Sequence, residues 1–265
     1  MHLNIGKPIT QGELVRLFAR AIDIDILNAV SYGEKVQYEK RVGYTILSKN
    51  FNIYKGEGIV NGNSNTLLNG KSSLRTDEVL IDNIVYKTGQ TNAGDLLGYY
   101  VEFYYKENDG YDNELLYITP DISRNDVLVI SAENIIGYED GKLFYEGIGS
   151  SNTIRTVTIP FDADIIYNGR FVPDFSPELF LIDSGEIRFI DANNEGWYKT
   201  ILIDRLEYYV VSAVDINMKK IYDKYHKEGL NVDADDKDIR VSIKDTAGKA
   251  MKLEDIKEWD VLTVR

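Results

Sequence analysis

The run Asp191-Ala192-Asn193-Asn194-Glu195-Gly196 places oxygen-bearing side chains at alternate positions before a glycine, which is how a calcium loop opens. Calcium takes roughly six to eight oxygens, and such a loop closes on an acidic ligand at about its twelfth position. Here that position is Leu202, an apolar strand residue. Asp191, Asn193 and Glu195 are therefore the candidates for a cation, in a hairpin turn with too few donors of its own. No resident metal or cofactor is expected. The same reading applies to Asn108–Glu114. Asn231–Asp238 (NVDADDKD) holds four aspartates without a partner of fixed geometry and reads as a solvated loop.

Nucleophilic or acid–base chemistry finds little to use. The two histidines, His2 and His226, lie near the terminus and in a Lys-containing linker, outside any triad pattern. Zero cysteines exclude disulfides, thiolate metal sites and thiol nucleophiles. Phosphate-cradling glycine loops are missing. Glu102, between Val101 and Phe103, is the carboxylate nearest an apolar setting, but strand alternation turns it outward. Catalytic residues are thus not assigned, and an enzyme is not expected; a glycosidase pair assembled only in space is the remaining enzymatic alternative. The tyrosines Tyr99, Tyr100, Tyr104, Tyr105, Tyr208 and Tyr209, with Trp197 and Trp259, suggest a sugar-stacking face as an alternative reading. Alternation sends about half of those tyrosines into a core.

These groups must be carried by strands. Nineteen tyrosines, Val/Ile runs and turn signals about every ten residues predict a mainly β fold of tandem small barrels or sandwiches. One amphipathic helix precedes them, over Ile9–Ala29, with Thr10 and Glu13 as a capping box. The period-two pattern then runs through residues 44–60, where Gly56 and Gly58 suggest a bulge or bend. Hairpins are expected at Asp82-Asn83, Glu139-Asp140-Gly141, Asn168-Gly169 and across residues 191–196. The segmentation is an N-terminal helix and linker (1–43), a first β-module (44–125), a central module (126–197) and a C-terminal module (198–265).

The C-terminal module reads as a second use of the first. Residues 58–71 resemble Ser212–Lys224, and residues 92–104 resemble Lys252–Val264. Asp95 falls on Asp255, Leu96 on Ile256, Tyr99 on Trp259 and Val101 on Val261. Such recurrence suits packing better than catalysis.

A formal charge of −13 argues against a nucleic-acid groove, which needs clustered Lys and Arg. No apolar run is long enough for a membrane helix, and MHLNIGKPIT lacks the pattern of a secretory signal. Neither nucleic acid nor membrane is an expected partner.

The phrases GEGIVNGNSNTLLNGKSSL, EVLIDNIVYKTGQTNAGDLLGYYVEFYYKENDG, ADIIYNGRFVPDFSP and YYVVSAVDINMKKIYDKY with LEDIKEWDVLTV, in that order, resemble the long β-rich region of S-layer homology (SLH) proteins of Firmicutes. The opening PITQGELVRLFARAI is similar to the end of an SLH repeat. Ile9, Thr10 and Glu13 match it, whereas Gln11 replaces the arginine of the polysaccharide-binding motif and Gly12 an alanine. The resemblance implies an extracellular segment at a Gram-positive-type cell wall, acting as scaffold or spacer. It implies a wall anchor upstream in a longer parent chain, and as partners cell-wall polysaccharide, other surface proteins or further copies of itself. A carbohydrate-binding or adhesin module and a phage virion structural protein are the alternatives.

Overall fold

The structure is a computed structural model of the 265-residue chain and describes residues 8–32, 35–108, 113–147, 153–225, 228–233 and 241–265. Both histidines, the tip of the 108–114 turn and the whole aspartate run after Asp233 lie outside the described residues. The fold is mainly β. Two compact units divide the chain, residues 1–64 with 73–125, and residues 65–72 with 126–265.

The first unit opens with α1 (Gln11–Ala21), whose start is fixed reciprocally. Thr10 Oγ1 accepts the Glu13 N–H (3.3 Å), and the Glu13 carboxylate accepts the Thr10 N–H (3.0 Å). The helix ends at Ala21, well short of Ala29. Asp23 and Asp25 follow, and carboxylates oppose the helix dipole at a C-terminus. Asp25 instead accepts the Gly43 N–H (2.8 Å) and pairs with Lys40 (3.2 Å), closing the hairpin β1 (Leu27–Tyr32) and β2 (Val36–Lys40). Residues 44–60 are not one strand either. Thr45 and Ser48 form a capping box for a short helix, α2 (Ile46–Phe51), which stops where Asn52 turns left-handed (φ +55°).

From β3 (Ile53–Gly62) the chain builds a barrel. The strands β4 (Thr66–Leu67) and β5 (Gly70–Lys71) form a hairpin belonging to the second unit. The barrel continues with β6 (Glu78–Ile81), β7 (Ile84–Lys87), β8 (Tyr100–Glu107) and β9 (Asn113–Pro120). Its order is β3-β6-β7-β9-β8, and β8 pairs back onto β3, so the sheet closes. Neighbours are antiparallel except β7 and β9, which run parallel where Lys87 meets Glu114. The result is a closed five-stranded barrel. The β6–β7 turn is the expected primed type, with Asp82 and Asn83 at φ +43° and +68°.

Burial follows the alternation. Val60, Val79, Ile81, Val101, Phe103, Leu115 and Ile118 fill the interior with Tyr86. Tyr86 meets the Phe103 and Tyr105 rings edge-on at 5.1 and 5.3 Å. Gly56 pairs with Phe103 in unbroken register, and a Cβ there would lie 2.5 Å from the Phe103 ring. That glycine makes room for an aromatic ring and is not a bend. The bulge falls later, between Val60 and Gly62.

The second unit begins with β10 (Asp126–Ser131), β11 (Ile135–Glu139), β12 (Lys142–Glu146), β13 (Ile154–Thr158), β14 (Asp164–Tyr167), β15 (Arg170–Phe171), β16 (Gly185–Asp191) and β17 (Thr200–Arg205). One sheet runs β10-β16-β17-β14-β15, a second β11-β12-β13. The turns at Asp140-Gly141 and Asn168-Gly169 have the positive φ their sequences predict (+48° and +75°, +46° and +74°). A core around Phe180, Phe189, Ile187, Ile201, Ile203 and Leu143 joins the strands. Gly185 sits at φ +100° with its would-be Cβ 1.9 Å from the Asp204 carbonyl oxygen, so no other residue fits without moving a strand.

The unit ends in β18 (Glu207–Asp215), β19 (Lys220–Asp223), β20 (Leu230–Asn231) and β21 (Val261–Val264), in the order β20-β19-β18-β21. This half-barrel repeats the hydrogen-bond scheme of the first barrel. Val60 donates to the Tyr99 carbonyl and accepts from Gly98; Val211 donates to Asp260 and accepts from Trp259. The Asp82 N–H reaches Ile59 as that of Lys224 reaches Val210, and Thr88 reaches Asp77 as Val232 reaches Lys219. A bulge follows Val211 as one follows Val60. Ahead of each returning strand, Asp95 and Asp255 donate their N–H to Asn92 and Lys252 in a single helical turn.

Candidate functional site

Asp191 ends β16 and is 4% exposed. Its carboxylate accepts three backbone N–H groups: Asn193 (3.3 Å) and Glu195 (3.0 Å) on Oδ1, Gly196 (2.7 Å) on Oδ2. Both oxygens are thereby committed to folding the turn between β16 and β17, with Asn194 and Gly196 at φ +54° and +89°. The structure brings the three sequence candidates into one turn, but Asn193 and Glu195 contribute main-chain donors to it, the wrong polarity for a cation. Among the described residues, no three His, Asp or Glu side chains converge as a metal site.

The same use of acids recurs. Asp82 accepts the Ile59 N–H (3.0 Å) in the first barrel. Asp223, 8% exposed, accepts those of Val210 and Tyr225 at 2.5 Å each in the half-barrel. Asp121 takes the N–H and hydroxyl of Ser123, and these hydrogen bonds hold its carboxyl below the usual range. Asp245 takes the N–H groups of Ala247 (2.9 Å) and Lys249 (2.8 Å). Glu102 points outward and meets Lys55 across the β3–β8 pair at 3.4 Å. Asp164, at the start of β14, is the carboxyl that burial pushes up, with Lys199 opposing the shift.

The aromatic residues sort by exposure. Tyr100 is 8% exposed, and Tyr105 packs against Tyr54, Tyr86 and Phe103. Tyr104 donates its hydroxyl to Asp23 at 2.7 Å; burial and that acceptor push its pKa up to about 12. Trp197, Trp259 and Tyr208 remain exposed. Trp259 carries Lys224 over its face, the ammonium 2.8 Å from the ring centroid, while Lys224 also reaches Glu258 at 3.6 Å.

Tyr208 borders an open groove of about 610 Å³ in the second unit, between the end of β10, the start of β16 and the β17–β18 junction. Its wall includes Glu133, Ser184, Glu186, Arg188, Asp204 and Arg265. Four of the charges there are paired: Arg188 with Glu186 at 2.5 Å, and Arg265 with Asp204 at 3.2 Å. Asp183, also on the rim, accepts from Arg205 at 3.1 Å, which keeps its carboxyl below the usual range. The Ser184 hydroxyl lies 3.3 Å from the Tyr208 hydroxyl. An aromatic ring beside paired planar groups offers stacking and hydrogen bonding to a polyol. Sequence reasoning singled out Tyr208 but not this groove, whose walls come from separate segments between residues 131 and 265.

No family model, curated protein or solved structure matches this chain. No helix among the described residues is long and apolar enough to cross a membrane.

Proposed function

We propose that this chain is a non-enzymatic scaffold or spacer segment of an SLH-type surface protein, displayed at a Gram-positive-type cell wall, working through interactions of its β-modules. The observation that carries the reading is how the chain spends its acids. Asp82, Asp121, Asp191, Asp223 and Asp245 each accept hydrogen bonds from nearby main chain, and the groove carboxylates Glu186 and Asp204 sit in ion pairs. Carboxylates so engaged hold turns and ion pairs. A general acid needs a raised carboxyl; Asp164, which burial pushes up, is not among the residues lining the Tyr208 groove.

The test is incubation of the purified 265-residue chain with a panel of polysaccharides and peptides, alongside co-sedimentation with cell-wall preparations. The scaffold reading expects no turnover, and robust turnover of any substrate overturns it. The Tyr208 groove favours a second reading, a carbohydrate-binding module. A glycan array with the native chain and Tyr208→Ala decides it: binding lost in the variant supports this reading, and equal signals remove it.

A further inference from the structure

The floor of the Tyr208 groove is laid down by strand register. Ser131, Glu186 and Asp204 stand side by side across β10, β16 and β17, through the pairs Ser131↔Glu186 and Glu186↔Asp204. The adjacent row, Ile130, Ile187 and Ile203, is buried in the core. Alternation therefore turns Ser131, Glu186 and Asp204 to the opposite face, where they line the groove. Arg188, two residues along β16, shares that face.

Glu186 and Asp204 are like charges directly opposite one another, an arrangement that destabilises a sheet unless each is compensated. Arg188 compensates Glu186, and Arg265 compensates Asp204 at 3.2 Å. Both guanidinium groups of the lining are thus engaged by the protein's own carboxylates. Arg205, which is not part of the lining, is held by Asp183 on the rim. Among the described residues the lining carries four carboxylates, of Glu133, Asp183, Glu186 and Asp204, against the two guanidinium groups of Arg188 and Arg265. Glu133 is exposed on the groove wall, without an ion pair among the described residues.

This balance decides what can enter. A ligand carboxylate, sulfate or phosphate would meet an excess of like charge, and would have to take an arginine from Glu186 or Asp204. A hydroxyl faces no such competition, because it both donates and accepts. In the Arg265–Asp204 pair one guanidinium nitrogen donates to one carboxylate oxygen, so the pair keeps further donors and acceptors for hydroxyls. The Ser184 and Tyr208 hydroxyls extend the same chemistry, and the exposed Tyr208 ring offers a stacking surface to the apolar face of a sugar.

We propose that the groove binds an uncharged, hydroxyl-rich glycan and turns away anionic ones, its surplus carboxylates acting as the filter. The proposal rests on the carbohydrate-binding reading of this groove and names its substrate class.

The probe is an array of uncharged oligosaccharides, their uronate and sulfated counterparts, and free-amine glycans, read with the full chain and with folded variants. Uncharged glycans should bind, and uronate and sulfated ones at least about tenfold more weakly. Raising salt from about 0.05 to 0.5 M should change binding of the uncharged members by less than about twofold, since no charge is neutralised. Glu133→Lys should raise the signal of the anionic glycans about threefold or more. Arg265→Ala should weaken binding of the uncharged ones about tenfold. Equal binding of anionic and uncharged glycans by the native chain overturns the proposal while the carbohydrate-binding reading stands. So does an anionic signal that Glu133→Lys leaves unchanged. Binding confined to free-amine glycans also overturns it, because the carboxylates would then be the ligand-holding groups. If no glycan binds, or if Tyr208→Ala binds as the native chain does, the carbohydrate-binding reading falls and takes this proposal with it.

Discussion

The closed barrel of residues 53–120 and the open half-barrel of residues 207–264 share a backbone plan and differ in what fills it. Among the described residues, nine buried apolar residues form the core of the first and three that of the second. The shared part is the main chain around Val60 and Val211: a bulge, a carboxylate on the preceding N–H, and a turn that delivers the returning strand. The plan is therefore set by hydrogen-bond register, and tolerates different side chains wherever the register is kept. Stability, in contrast, should follow how completely the sheet closes over its core.

The largest test of that contrast is a pair of truncations at equivalent positions. Phe103→Ala removes a ring 2% exposed and should cost about 3–5 kcal/mol in denaturant melts. Val264→Ala trims a half-buried residue at an open edge and should cost about 1 kcal/mol or less. Equal losses would mean the half-barrel is closed in solution.

The carboxylate pair comes next. Asp223→Ala strands two N–H groups beside a buried position and should cost about 1–3 kcal/mol. Asp82→Ala exposes the Ile59 N–H near solvent and should cost about 1 kcal/mol. Thermal melts of the two variants check the order, and the reverse order breaks the comparison.

A smaller effect separates the turns. Gly98 stands at φ +83° in the first copy, where glycine carries no steric penalty; Trp259 stands there at φ +76° in the second. Gly98→Trp should cost about 1–2 kcal/mol, since nothing at that turn repeats the Lys224 contact. Lys224→Ala should cost about 0.5–1 kcal/mol through loss of the cation over the Trp259 ring.

The last difference appears only in alkali. Tyr86 and Tyr104, on the closed barrel, have their pKa pushed up to about 12, chiefly by burial, from an ordinary value of 10.0, as does Tyr198, which lies outside the half-barrel. Their folded-state pKa exceeds the unfolded one, so the stability they contribute is intact below pH 10 and is lost as pH rises through about 12. Unfolding of the closed barrel should therefore accelerate across that window, ahead of the half-barrel. Absorbance of tyrosinate during a pH titration should lag for these two residues relative to exposed tyrosines.

Much of the fold was legible because it rests on alternation and turn chemistry. Asp82-Asn83, Asp140-Gly141 and Asn168-Gly169 announce their hairpins by residue type, and Thr10 with Glu13 announces a helix start. The repeat was legible too, though not its register. Letter matching sets Gly58 against Ser212 and Tyr99 against Trp259. The hydrogen bonds set Val60 against Val211 and Gly98 against Trp259, while keeping Asp95 with Asp255. A conserved dihedral filled by glycine in one copy and tryptophan in the other leaves no letter to match. The helix at Ile46–Phe51 hid within an alternating stretch because only its Thr45 and Ser48 caps distinguish it. The groove beside Tyr208 was illegible because sequence periodicity carries no information on which distant strands meet.

The register of β18 with β21 also decides how the chain would bear load. Glu207 pairs with Val264, so the polypeptide enters and leaves the half-barrel side by side. Tension across residues 207 and 264 peels those strands apart one hydrogen bond at a time, like a zip. In the closed barrel the chain enters at Ile53 and leaves at Pro120, on strands that both run antiparallel to β8 and hence parallel to each other. The same pull there shears whole ladders at once. A spacer made of these two pieces would yield first at its half-barrel.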